Sequence, residues 1–213
     1  MDFHSEGVKK EIVDKIVKRM EREKKPVIVN VSNRHIHMAL RDMEKLFGPG
    51  YKLKVDRTLM QPGEFASQEF VTIKGPKNEI KKVRVLGPVR KSTQVEISRT
   101  DSFVLGIDAP LRLSGDINGS APITIIGPAG TVELKDGCIV AKRHIHFASK
   151  DADFFNISGG DVLKVKVENE SGRGLVFDNV IARVREDMAL EFHVDTDEAN
   201  AAGIKNGDKV III

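Results

Sequence analysis

The chain has 213 residues, 40% of them hydrophobic and 31% charged, with a formal charge of +3 and a pI near 8.9. That length allows one large domain or two small ones, and no apolar run approaches the roughly 20 residues of a membrane-spanning helix. No secretion signal opens the chain and Cys138 is its one cysteine, so a soluble, cytoplasmic protein without an internal disulfide is expected. Residues 1 to 24 read as an amphipathic helix, with Val8, Ile12, Val13, Ile16, Val17 and Met20 at helical spacing and Lys, Arg and Glu elsewhere. Pro26 ends it. Short runs rich in Val and Ile follow at 27–31, 70–73, 83–86, 123–126, 162–167 and 210–213, punctuated by Gly and Pro. They predict a mainly β protein of sandwiches or barrels. The basic stretch from Lys74 to Lys91, with Arg84 and Arg90, reads either as a solvated strand face or as a surface for a polyanion. With no Trp and one Tyr, stacking platforms are few and no nucleic-acid partner is expected.

The chain contains an internal repeat. Arg34-His35-Ile36-His37 recurs as Arg143-His144-Ile145-His146, and at the same offset Ala39 matches Ala148, Asp42 matches Asp151 and Gly50 matches Gly159. Each copy predicts a strand, the His pair, then a short helical segment closed by glycine (43–47 and 152–157). Val95-Glu96-Ile97-Ser98 before Thr100-Asp101 also resembles Phe192-His193-Val194-Asp195 before Thr196-Asp197, once one residue is gapped at Arg99. Two similar β units are therefore expected, with Glu96 and His193 in equivalent places.

A His-x-His pair on a strand sets both imidazoles on one face, about 7 Å apart along the backbone, which suits two ligands of one metal. The duplicated pairs, with Glu96 and His193 as third ligands, predict two three-ligand sites with positions left open for water or substrate. Nitrogen and carboxylate donors favour zinc, with iron, cobalt or manganese as alternatives. His4, in the N-terminal helix, has no partner in the repeat. Arg34 and Arg143 read equally as structural ion pairs or substrate contacts. Arg90 and Lys91 follow the Gly87-Pro88 turn; Arg90 is either a surface residue or a guanidinium for an oxyanion near the metal. Ser114-Gly115 and Gly119-Ser120 form a polar loop that either connects strands or turns its amides to an anion. Cys138 has no base beside it, and covalent catalysis is not expected.

These residues resemble the PduL-type phosphate propanoyltransferases (phosphotransacylases). The matching segments are Ser32-Asn33-Arg34-His35-Ile36-His37, Leu59-Met60-Gln61-Pro62-Gly63, Leu86-Gly87-Pro88, Gln94 to Asp101, Arg143-His144-Ile145-His146 and His193 to Asn200. The resemblance implies two tandem β-barrels with short capping helices, divided as 35–142 and 25–34 plus 143–213, the strand before each His pair belonging to the opposite barrel. It implies a dinuclear zinc site, His35, His37 and Glu96 on one ion and His144, His146 and His193 on the other. Arg90 would be the catalytic, phosphate-binding arginine, and Ser114 a neighbouring substrate-binding residue. The reaction implied is acyl-CoA plus phosphate giving acyl phosphate plus CoA, with short chains such as propanoyl or acetyl. A homo-oligomer is expected, and residues 1–24 are either a cargo tag for the shell proteins of a bacterial microcompartment or part of the barrel. The alternatives are a metal-dependent thioester or amide hydrolase and a non-catalytic β-barrel binding module, the latter suggested by the Asn206-Gly207-Asp208-Lys209-Val210 turn.

Overall fold

A computed structural model describes residues 6–213, so His4 lies outside it. The elements run α1 (Glu6–Glu23), β1 (Val27–Ser32), β2 (His35–Ala39), α2 (Leu40–Phe47), β3 (Val55–Thr58), β4 (Phe65–Lys74), β5 (Glu79–Arg90), β6 (Gln94–Ile97), α3 (Arg99–Leu105) and β7 (Leu111–Arg112). Then come β8 (Ala121–Ile126), β9 (Thr131–Ala141), β10 (His144–Phe147), α4 (Ser149–Phe155), β11 (Val162–Lys166), β12 (Val176–Val184), β13 (Glu191–Asp195), α5 (Thr196–Ala202) and β14 (Lys209–Ile212).

The strands form two sheets. One is a closed six-stranded barrel in the order β1-β13-β10-β12-β11-β14, with β14 pairing back onto β1. The other is eight-stranded, ordered β3-β4-β5-β2-β6-β9-β7, with β8 pairing both β4 and β9. Each encloses its own apolar core. Val29, Ile145, Phe147, Phe155 and Phe192 fill the barrel, and Ile36, Met38, Ile73, Val85 and Ile125 fill the second sheet. Strand alternation explains the division of labour at the motifs: Ile36 and Ile145 point into the cores, which turns the flanking histidines to the opposite face.

The chain passes from the barrel into the second sheet through Asn33-Arg34 and returns through Lys142-Arg143, immediately before each His pair. Arg34 and Arg143 hold these crossings. Arg34 grips Asp101 with two contacts of 2.8 Å, and Arg143 donates to Glu198 Oε1 at 2.8 Å and to the Asp178 carbonyl at 2.7 Å. Their acceptors are equivalent residues. Asp101 and Glu198 each complete a capping box, with Ser98 at the start of α3 and Asp195 at the start of α5. The two helices therefore align without the gap expected at Arg99, and Gly106 and Gly203 end them in the same left-handed conformation. The second short helix also differs from expectation. α4 stops at Phe155 and is closed by Asn156 at φ 51, a conformation that asparagine tolerates well, rather than by glycine.

Helix α1 leaves Ile12, Val13, Ile16, Val17 and Met20 between 42% and 55% exposed. Its C-terminal end is attached to the barrel. Arg22 donates to the Phe155 carbonyl, and Lys25 pairs with Asp151 at 2.6 Å while lying over the Phe154 ring. No helix among the described residues is long and apolar enough to cross a membrane.

Candidate functional site

The two His pairs meet their third partners through strand pairing in matching registers. In the second sheet, β2 and β6 run antiparallel with His35 opposite Glu96 and His37 opposite Gln94. In the barrel, β10 and β13 run antiparallel with His144 opposite His193 and His146 opposite Glu191. The result is two clusters, His35-His37-Glu96 and His144-His146-His193, in each of which the potential ligand atoms lie within 4.8 Å of one another. Both line one cavity of about 730 Å³, with Arg90, Ser114 and Arg183.

Buried imidazoles are ordinarily satisfied by hydrogen bonds; these are satisfied only in part. Nδ1 of His35 donates to the Asn33 carbonyl at 2.8 Å and Nδ1 of His144 to the Lys142 carbonyl at 2.7 Å, which leaves each Nε2 with a free lone pair. His37 Nδ1, both nitrogens of His146 and His193 Nε2 are buried with no hydrogen-bond partner. Three of the rings are also held neutral. Burial, then His193, holds His144 at about 3; burial, then His193, lowers His146; and burial, then His35, keeps His37 well below the usual imidazole range. Burial alone would raise the Glu96 carboxyl, but His35 and His37 outweigh it and hold it at about 2. Imidazoles beside an ionised carboxylate, with unspent ring nitrogens in a buried setting, form a donor set that fits a borderline divalent ion such as zinc.

Arg90 and Ser114 do come together. Arg90 Nη1 reaches Ser114 Oγ at 3.3 Å, and its Nη2 pairs with Glu64 Oε1 at 3.0 Å. Ser114 also accepts from Gln94 Nε2 at 3.0 Å, and the same amide group donates to Glu96 Oε1 at 2.6 Å. The loop at Ser114-Gly115, read either as a strand connection or as an amide site for an anion, spends one amide internally, because Gly115 N–H donates to Gln94 Oε1 at 2.7 Å. Within the basic stretch, Arg84 is tied down by Asp56 and the Ser67 carbonyl and stacks over Phe70. Cys138 is fully buried, and burial pushes its thiol up to about 12.

Four residues of the cavity wall escaped sequence reasoning. Gln61 opens the Gln61-Pro62-Gly63 turn, a segment already marked by the family resemblance, and Glu64 follows it. Arg183 lies opposite His146 across β12 and β10, and among the described residues its side chain makes no hydrogen bond or ion pair. Nothing in the alternation of Ile181-Ala182-Arg183-Val184 distinguished it from a solvated strand residue. Glu191 stands two residues before His193 on the same strand face, a spacing that could have revealed it.

The sequence model of the phosphate propanoyltransferase family matches residues 28–205. The chain is 55% identical over 197 residues to the phosphate propanoyltransferase of Thermotoga maritima, covering 92% of this chain and 93% of that protein. It is 48% identical over 199 residues to that of Salmonella typhimurium, covering 92% and 94%, and 47% identical over 190 residues to that of Shewanella putrefaciens, covering 89% of each. A match that spans both sheets, both clusters and the cavity places this chain in the phosphate propanoyltransferase family.

Proposed function

We propose that the protein is a phosphate acyltransferase that interconverts propanoyl-CoA plus phosphate with propanoyl phosphate plus CoA, at a site built for two zinc ions. The observation that carries this reading is the single cavity onto which both unsatisfied clusters and Arg90 open. His35, His37 and Glu96 would hold one ion, and His144, His146 and His193 the other. Bound there, the ions supply Lewis-acid polarisation of the thioester carbonyl and stabilise the departing thiolate.

The chain's own residues do the positioning. Arg90, oriented by Glu64 and Ser114, presents a planar fork to the incoming phosphate. Arg183, which lines the same cavity, adds a second guanidinium on the barrel side. A phosphate oxygen then attacks the thioester carbon, the carbon–sulfur bond breaks, and CoA leaves as the thiolate. No side-chain nucleophile is required, because holding the two substrates together can supply roughly 7–11 kcal/mol of the barrier. Cys138, sealed in the core, is not one.

The same reading divides the chain into the six-stranded barrel of residues 25–34 and 143–213, a second unit of residues 35–142, and the N-terminal helix. It takes the eight-stranded sheet as a second barrel, since β4-β5-β2-β6-β9-β8 pair in sequence and β8 pairs back onto β4. CoA release from propanoyl-CoA should require phosphate and stop on chelation. Equal release with and without phosphate would assign the site to a hydrolase instead.

A further inference from the structure

The two clusters differ at one position. His35, His37 and Glu96 include a carboxylate, whereas His144, His146 and His193 do not. An ion held by three neutral imidazoles in a buried setting keeps its full charge, and an uncompensated buried charge is costly. The matched registers show where the compensation lies. Gln94 and Glu96 stand opposite His37 and His35, while Glu191 and His193 stand opposite His146 and His144. The acid and its neighbour are thus exchanged between the repeats: Gln-x-Glu in one, Glu-x-His in the other.

Glu191 is a buried carboxylate that pairs with no Lys or Arg among the described residues. It is 2% exposed. Two amides donate to it, Asn30 to Oε1 at 2.8 Å and Gln61 to Oε2 at 2.7 Å. Oε2 also lies 2.9 Å from His193 Nε2. That nitrogen nevertheless lacks a hydrogen-bond partner, so the contact is an approach from beside the ring N–H direction and the Nε2 lone pair remains available to the cluster. Glu96 approaches His35 Nε2 in a similar way, at 3.5 Å. Gln61 fixes the carboxylate from the loop between β3 and β4: its side chain also donates to the Ala189 carbonyl and accepts from Ala189 N–H, at 3.1 and 3.2 Å.

Resting on the dinuclear reading, we infer that Glu191 is the carboxylate of the second cluster, compensating the ion that His144, His146 and His193 would hold. Gln61 is then the residue that keeps it aimed. The test is zinc binding by the full chain, titrated against a chromophoric chelator. Wild type should take up two ions tightly. Glu191→Gln should keep one tight ion and weaken the other by about 10- to 100-fold, the usual effect of losing a supporting carboxylate. The double variant Glu191→Gln/His193→Glu copies the first cluster into the second and should recover the tight second ion. Two tight ions in Glu191→Gln would overturn the assignment while leaving the dinuclear reading intact. Should the single variant fail to fold, the double variant decides: a tight second ion supports the assignment and a weak one overturns it. A wild-type protein that binds no zinc overturns both the reading and the inference.

Discussion

Replacing Arg90 with Lys probes the phosphate site with little disturbance of the fold. Arg90 and Glu64 are about one-third exposed, with side-chain exposures of 33% and 32%. A pair that open to water contributes about 0–1 kcal/mol. For a chain of this length that corresponds to a melting shift of no more than about 4 °C. Function should respond more strongly. Lys keeps the charge but cannot present two parallel donors, so one charge-assisted hydrogen bond to phosphate is lost, worth roughly 1.5–3 kcal/mol. At about 1.4 kcal/mol per tenfold, the KM for phosphate should rise roughly 10- to 150-fold. The KM for propanoyl-CoA should change little. The assay is thiol release from propanoyl-CoA with phosphate varied, beside thermal unfolding of the same samples. An unchanged phosphate KM would return Arg90 to an ordinary surface ion pair. Equal rises in both constants would show a general distortion of the cavity.

Removing residues 1–23 deletes α1 but keeps the Lys25–Asp151 pair, so CoA release should persist and the melting temperature should stay within a few degrees. A fall of more than about 10 °C, some 3 kcal/mol or more for this chain length, would make the helix part of the barrel's stability. The Cys138 thiol contributes to stability in a pH-dependent way. Its ordinary value is 9.0 and its folded value about 12, so the contribution is complete below pH 9. Between those values the unfolded chain loses a proton that the folded one keeps. Stability from this group should fall by about 1.4 kcal/mol per pH unit, and Cys138→Val should flatten the alkaline slope in denaturant unfolding measured from about pH 8.5 to about pH 10.5. Parallel slopes for wild type and variant would contradict the buried-thiol assignment.

The metal-ligand candidates were legible because they are duplicated. Strand geometry turns His35 and His37 to one face, and the second copy repeats the arrangement around His144 and His146. Arg34 and Arg143 were ambiguous because a residue preceding the pair shows nothing of its acceptor; Asp101 and Glu198 are far away in the chain and meet them only through the folded helices. The end of α4 was misread because glycine is the commoner helix stop, whereas Asn156 adopts the same left-handed turn. Arg183 and Glu191 stayed hidden for a different reason. Their significance lies in the side chains they face across the cavity, and that becomes visible only once the strands assemble around it.

The most direct measurement is the fate of the carbonyl when propanoyl-CoA and phosphate react in heavy-oxygen water. If a phosphate oxygen attacks the thioester, propanoyl phosphate forms with no label from the solvent, and its formation matches CoA release mole for mole. Labelled propanoate appearing in step with CoA, without propanoyl phosphate, would show water as the nucleophile and contradict the account.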